Sequence, residues 1–163
     1  MRGFTLVEIL ITFTIMSLIV AGIFAILNIA DLSWNSDMAF LDVQQQVRLA
    51  MDGMTRETRQ IKPSDITITD GGARIDFLVP GIANGVAYYL QGGEIIREHP
   101  AGTTKILANY ITALNFCCSG GADCTDCEHG TSLEIQVQGT RTIKQKTATF
   151  PLTEKVMLRN KSE

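Results

Sequence analysis

The feature that most constrains this chain is a nearly uninterrupted apolar run close to its N-terminus, from Phe4 to Ala30. No charged residue lies between Ile9 and Leu27, and about 20 apolar residues are enough to cross the hydrocarbon core of a bilayer. One residue departs from the pattern. Glu8 lies inside the run, where a membrane helix normally excludes a carboxylate. The run predicts a transmembrane helix at 4–30, and its carboxylate needs an explanation.

The length of the run favours a retained anchor over a cleaved secretory signal, whose apolar core is usually about 7–15 residues. Arg2 and the N-terminus are then expected on the cytoplasmic side of the membrane, with residues from about 31 onward outside. That orientation places all four cysteines in a compartment where disulfides form.

The helical pattern continues beyond the apolar run, because the first proline of the chain is Pro63. Apolar residues recur there at spacings of three and four, which is typical of an amphipathic helix. We therefore expect one helix from Phe4 to about Ile61. The apolar stripe predicted for its second half consists of Phe40, Val43, Val47, Ala50, Met51, Met54 and Ile61.

From residue 63 onward the period changes to two, which is typical of strands. Asp70-Gly71-Gly72 and Gly92-Gly93 each separate two alternating segments and indicate hairpins. The expected strands are 66–69, 73–79, 86–91, 94–97, 110–116, 133–137, 142–150 and 156–158, with Gly139-Thr140 leading into the seventh.

The predicted fold class is therefore α+β, a long N-terminal helix whose amphipathic half packs on a C-terminal antiparallel β-sheet. We divide the chain into the membrane helix at 4–30, the amphipathic half of the helix at 31–62, and a β-rich head at 63–163. The head carries a cysteine-rich loop at 117–129.

Composition excludes some functional classes. The formal net charge is −3, so we expect no nucleic-acid partner. There are only two histidines, and no nucleophile elbow, phosphate-binding loop or HExxH motif is present. We predict a protein that is not an enzyme and that needs no cofactor.

The segment Gly3-Phe4-Thr5-Leu6-Val7-Glu8 gives the most specific indication of function. It resembles the signal of type IV pilins and type II secretion pseudopilins, in which a short basic leader ending in Gly precedes Phe, a few apolar residues and Glu. The resemblance implies that residues 1–3 are a leader peptide. It also implies that prepilin peptidase cuts between Gly3 and Phe4 and methylates the new amino group of Phe4.

Two further segments resemble the same family. Residues 40–61 look like the amphipathic half of a minor pilin, and Leu152 to Asn160 resembles the C-terminal strand of minor pilins and pseudopilins of the PilW and GspJ type. The resemblance implies an inner-membrane precursor, single-pass with a periplasmic C-terminal domain, which later joins a pilus or pseudopilus at the cell surface. The implied partners are prepilin peptidase, other pilins or pseudopilins in a homo- or hetero-oligomeric filament, the inner-membrane assembly platform and membrane lipid.

Glu8 has two interpretations. A carboxylate at the centre of a membrane helix costs about 2.5–3.5 kcal/mol, and less near the end of the helix, so Glu8 can be a tolerated interfacial residue. The resemblance implies instead that Glu8 of one subunit pairs with the Phe4 amine of another, which only cleavage exposes. Charge pairing in a water-poor helix bundle would make the carboxylate an assembly register.

The four cysteines lie close together, at Cys117, Cys118, Cys124 and Cys127. Outside the membrane they most simply form two disulfides, and a bond between the adjacent pair would be strained. The nested pairing joins Cys117 to Cys127 and Cys118 to Cys124; the crossed pairing stays open.

A rival interpretation is a membrane-anchored extracytoplasmic metal- or redox-binding protein. Cys124-x-x-Cys127 has the spacing of metal ligands, and His129 with one of the other cysteines completes a set of four. The oxidising compartment and the absence of a βαβ pattern argue against this interpretation. A third interpretation is an adhesin that binds a ligand through its sheet.

Overall fold

A computed structural model describes residues 5–79, 81, 85–121, 123–144 and 146–158 of the chain. These residues divide into two units, Met1–Met38 and Ala39–Glu163, which we describe separately. We call the second unit the head. Helix α1 (Leu6–Thr58) begins in the first unit and ends in the second, as the unbroken pattern between Phe4 and Pro63 predicts.

In the first unit, every large apolar side chain from Leu6 to Ile29 is at least 51 % exposed. The polar side chains within the run bond to their own helix instead. The hydroxyls of Thr12, Thr14 and Ser17 donate to backbone carbonyls three or four residues earlier, at 2.8–2.9 Å. This satisfies them without water. By length and composition, α1 is a helix able to cross a membrane.

In the head, α1 buries one stripe of side chains against the strands. The stripe is fully buried at Ala39, Val43, Val47, Ala50 and Met54. The residues of the predicted stripe are buried except Phe40, which is 41 % exposed, and the last of them, Ile61, is buried beyond the end of α1. Phe40 lies at the rim of the core, where its ring meets that of Phe150 edge to face at 5.9 Å.

The strands form two antiparallel sheets. The first sheet has five strands in sequence order, β1 (Ile66–Thr69), β2 (Arg74–Phe77), β3 (Val86–Gln91), β4 (Glu94–Glu98) and β5 (Thr104–Ala108). The second has three, β6 (Ile111–Ser119), β7 (Ser132–Ile143) and β8 (Lys146–Met157). The α+β class, with a long helix packed on antiparallel strands, is confirmed.

Both predicted hairpins are present, because β1 pairs with β2 and β3 pairs with β4 around the expected glycine turns. The positive φ angles of Gly71 and Gly92, 66° and 60°, explain the need for glycine there. Strand β5 was not predicted. Thr104, Lys105 and Ile106 are all exposed, and this short edge strand lacks a clear alternation of buried and exposed residues.

The prediction for Gly139 was wrong. Gly139 and Thr140 do not precede a strand but lie within β7, which continues to Ile143. A Cβ atom at Gly139 would lie 2.8 Å from side-chain carbons of both Val43 and Val47. Glycine is present here because it lets the strand approach the helix, and the chain does not turn at this residue.

The C-terminal end of α1 is joined to the first sheet by a polar cluster. The Tyr88 hydroxyl donates to Glu57 at 2.8 Å, and Arg97 Nε donates to both oxygens of the same carboxylate at 3.1 and 3.2 Å. Burial, and then the hydrogen bond to Glu57, raise the pKa of the Tyr88 hydroxyl above its ordinary value. The cluster fixes the last turn of the helix on β3 and β4.

Candidate functional site

The cysteine-rich loop connects β6 to β7 and is held by two disulfides, Cys117–Cys124 and Cys118–Cys127. Cys118 and Cys127 are 3 % and 2 % exposed and belong to the core of the head. Cys117 is half-buried and Cys124 is exposed. One disulfide therefore faces the core, while the other lies at the surface.

The structure contains the crossed pairing, so the nested pairing of Cys117 with Cys127 is wrong. The reason is the geometry of β6. Successive residues of a strand project to opposite faces of the sheet, so Cys118 points into the core and Cys117 points away from it. Each sulfur bonds to the partner on its own face, and spacing along the chain cannot reveal which partner that is.

Backbone contacts fix the loop between its disulfides. The Cys118 N–H donates to the Cys124 carbonyl at 2.9 Å. Asp123 Oδ1 accepts hydrogen bonds from the Thr125 hydroxyl at 2.6 Å, from the Thr125 N–H at 2.8 Å and from the Asp126 N–H at 2.9 Å. These bonds, that of the Thr125 hydroxyl first, lower the pKa of the Asp123 carboxyl.

The geometry does not favour a metal- or redox-binding centre in this loop. All four cysteine sulfurs are engaged in disulfides, so no thiolate is available as a ligand. His129 Nδ1 lies 3.2 Å from the Asp126 carboxylate. Among the described residues, no group of three or more His, Cys, Asp and Glu side chains is arranged to hold a metal ion.

The second candidate site is the start of α1. Thr5 is the residue before the first helical position, and its hydroxyl oxygen accepts a hydrogen bond from the Glu8 N–H at 3.3 Å. In return, Glu8 Oε2 accepts from the Thr5 N–H at 3.5 Å. This reciprocal arrangement is a capping box, which satisfies two backbone donors at a helix N-terminus. Gly3 and Phe4 lie outside the described residues.

The capping box gives Glu8 a local role that our sequence interpretation missed. A carboxylate near a helix N-terminus is stabilised by the exposed N–H groups and by the helix dipole. The signal was present in the sequence as Thr5-x-x-Glu8, the spacing that defines the box. Glu8 is therefore compatible with a membrane helix before any partner subunit is considered.

The N-terminal segment that contains the capping box is similar to a known sequence family. Residues 1–24 match the family model of the prokaryotic N-terminal methylation motif. No curated protein matches the chain. The matched residues include the segment before the capping box, the box itself and most of the apolar run. The match supports a relationship to the type IV pilins and pseudopilins.

Several properties follow from the methylation motif. It implies processing by prepilin peptidase and assembly with other pilins. With the exposed apolar helix behind it, the motif fits membrane anchoring and incorporation into a pilus. It points to a structural protein without enzymatic activity. The disulfide-bonded head agrees with a protein of this kind, since such disulfides form outside the cytoplasm.

Proposed function

We propose that this protein is a minor pilin or minor pseudopilin, a structural subunit incorporated into or at the tip of a type IV pilus or type II secretion pseudopilus. The observation that carries the proposal is the methylation motif at residues 1–24, together with a segment of α1, Leu6 to Ile29, whose large apolar side chains are all exposed. An apolar helix without a covered face needs lipid or other helices around it. In the membrane precursor the apolar segment is surrounded by lipid, and in a helical filament it is surrounded by the helices of other subunits.

In this proposal each part of the chain has one task. Residues 1–3 are removed as a leader, 4–30 serve first as membrane anchor and then as part of the filament core, and 31–62 connect that helix to the strands. The β-rich region, 63–163, is displayed outside the cytoplasmic membrane, on the periplasmic side before assembly. Its loop at 117–129 is a surface feature stapled by the two disulfides.

Processing is tested by co-expressing the full chain with a prepilin peptidase and measuring the mass of the mature N-terminus. We expect a chain that begins at Phe4 and carries one added methyl group on its amine. Co-expression with a catalytically inactive peptidase is the control and should leave the precursor intact. A mature chain that still begins at Met1 would overturn the processing step.

Glu8 is proposed to pair with the Phe4 amine of a neighbouring subunit during assembly. This pairing needs a negative charge, whereas the capping box needs only a side-chain oxygen that accepts from the Thr5 N–H. The two roles are separable because glutamine retains the oxygen and loses the charge.

The test compares Glu8→Gln with Glu8→Ala and with Thr5→Ala, which removes the hydroxyl that accepts from the Glu8 N–H. We expect all three variants to be processed and both Glu8 variants to be absent from filaments. Thr5→Ala, which keeps the charge, should still assemble. Normal incorporation of Glu8→Gln, measured by immunoblotting sheared filaments, would refute the charge pairing and leave Glu8 as a capping residue.

The minor class is proposed from the resemblance of the C-terminal strand, Leu152 to Asn160, and from the size of the β-rich head. Quantitative mass spectrometry of purified filaments tests it. We expect this chain to be a small fraction of the total pilin. If it forms the bulk of the filament, it is the major subunit instead.

A further inference from the structure

The cysteine-rich loop at 117–129 contains all four cysteines of the chain, and two disulfide pairings can span it. The crossed bonds of the structure, Cys117–Cys124 and Cys118–Cys127, join residues 7 and 9 positions apart. The nested bonds, Cys117–Cys127 and Cys118–Cys124, would join residues 10 and 6 positions apart. Because the entropy of loop closure depends on the logarithm of loop length, the two pairings differ by less than about 0.1 kcal/mol in the unfolded chain. The unfolded chain therefore has no preference for the native pairing.

The folded head, in contrast, accepts only the crossed pairing. Cys118 and Cys127 are 3 % and 2 % exposed and pack in the core. Cys117 projects from the opposite face of β6, and Cys124 is exposed. A nested bond would have to join Cys127, inside the core, to Cys117, on the outer face. Any chain that is oxidised to the nested form before β6 and β7 pair is therefore unable to close the native head.

The nested form also has no means of correcting itself. Disulfide exchange starts when a thiolate attacks a disulfide sulfur. In the nested form all four sulfurs are already bonded, and the chain has no fifth cysteine. The attacking thiolate must come from another molecule. In the oxidising compartment where these bonds form, a protein with a reactive thiol is the class of molecule that supplies it.

We propose that this protein is a substrate of an extracytoplasmic disulfide isomerase, which converts the nested pairing into the crossed one through Cys117. The isomerase thiolate attacks the Cys117 sulfur of the nested form, so that a mixed disulfide forms and the Cys127 thiolate is released. The Cys127 thiolate attacks the Cys118 sulfur, which forms the core bond and releases the Cys124 thiolate. The Cys124 thiolate attacks the Cys117 sulfur, which forms the surface bond and releases the isomerase thiolate. Two disulfides are present before and after, so no oxidant or reductant is consumed.

The geometry of the head supports this order of exchange. Once Cys118–Cys127 has formed, the core buries it and protects it from further attack. Cys117 is half-buried on the outer face, so a mixed disulfide at this residue is compatible with a closed core. The Cys118 N–H donates to the Cys124 carbonyl at 2.9 Å, which holds Cys124 beside β6. The last exchange therefore takes place at the surface, between Cys124 and the neighbouring Cys117.

The test starts from the full-length precursor, reduced and unfolded in urea and detergent and then oxidised with diamide, an oxidant without a thiol. After removal of the urea, the sample is incubated with or without a catalytic amount of a purified, reduced disulfide isomerase. We expect about half of the chains to carry the nested pairing after oxidation. We expect that fraction to convert to the crossed pairing at least about tenfold faster with the isomerase. An isomerase whose active-site cysteines are replaced by alanine is the control and should convert none.

Peptide mapping without reduction distinguishes the two pairings. An endoproteinase that cleaves before aspartate separates Cys124 from Cys127, because Asp126 lies between them. Electron-transfer fragmentation between Cys117 and Cys118 then shows which of these two is bonded to each peptide.

A variant with a single possible bond provides the matched comparison. Cys117→Ser with Cys124→Ser leaves only Cys118 and Cys127, which can form no wrong pairing within the chain. Diamide alone should therefore give its native bond in full, and the isomerase should have no effect on this variant.

Three results would overturn the isomerase requirement. They are a crossed pairing in nearly all chains after oxidation in urea, a nested pairing that persists with the active isomerase, and an equal effect of the isomerase on the single-bond variant. This inference rests on disulfide formation outside the cytoplasm and not on processing or assembly. Since no peptidase or other pilin is present, these outcomes are independent of the function proposed above.

Discussion

The two halves of helix α1 can be compared directly, because both contain apolar residues that are exposed in the first half and buried along one face in the second. Val20 and Ile23, in the first half, are more than half exposed, whereas Val43 and Val47, in the second, are completely buried. The first half is apolar all round, so no single face can be covered by its own chain. The second half is apolar along one stripe, which the two sheets cover. The difference indicates that the first half is completed by lipid or by other subunits.

The largest effect is expected for a charge placed in the buried stripe of the second half of α1. Val47→Asp should destabilise the head by about 4 kcal/mol or more, because a carboxylate would be buried without a partner. Leu49→Asp, two residues away and 57 % exposed in the native chain, should change stability by less than about 0.5 kcal/mol. Denaturant unfolding of the detergent-solubilised chain, followed by near-ultraviolet circular dichroism, measures both.

A valine-to-aspartate substitution in the first half of α1 should affect membrane insertion and not the stability of the head. Val20→Asp should leave the unfolding midpoint of the head unchanged and should reduce membrane insertion, measured by carbonate extraction. A lower midpoint of the head in this variant would contradict the separation of the two halves.

The disulfides should stabilise only the second half. Replacing Cys118 and Cys127 by alanine should cost about 2–4 kcal/mol from the lost cross-link, and more than replacing Cys117 and Cys124 by serine, because the first pair also fills the core. Mild reduction followed by alkylation should label Cys117 and Cys124 first. Helical signal from residues 6–38 should persist after full reduction. Its loss would show that the first half depends on the head.

A smaller effect is expected where the strand approaches the helix. Gly139→Ala should destabilise the head by about 1–3 kcal/mol, because the new methyl group would overlap Val43 and Val47. Gly53→Ala is the matched control within α1, where a Cβ atom meets nothing within 4 Å. It should be neutral or stabilising by up to about 1 kcal/mol. Equal effects of the two substitutions would contradict the close packing at Gly139.

The smallest effect concerns the polar cluster at the end of α1. Tyr88→Phe removes the hydrogen bond to Glu57 and should cost about 1–2 kcal/mol at neutral pH. The folded state raises the pKa of Tyr88, through burial and then Glu57. The bond's contribution is therefore fully present below the ordinary tyrosine pKa of about 10 and is lost as the pH rises above it. The stability difference between native chain and variant should shrink at alkaline pH; a constant difference would contradict the shift.

Much of the fold could be predicted because its signals are local. Helix α1 (Leu6–Thr58), most of its buried stripe and the hairpins at Asp70 and Gly92 follow from periodicity and turn residues. The capping box is equally local, because Thr5 and Glu8 are three residues apart, and it gives Glu8 a role besides that of a charge in the membrane helix. Strand β5 has no such signal, since it is short and lies at a sheet edge.

The sequence by itself determined the long helix, the alternating pattern of residues along the strands and the methylation motif, since each depends on residues a few positions apart. The tertiary structure decided the disulfide pairing, the exposure of Phe40 and the requirement for glycine at position 139. Each of these depends on which face of a helix or strand the residue occupies and on what packs against that face. Cys117 and Cys118 are adjacent in sequence, yet the pleat of β6 directs one to the surface and the other into the core.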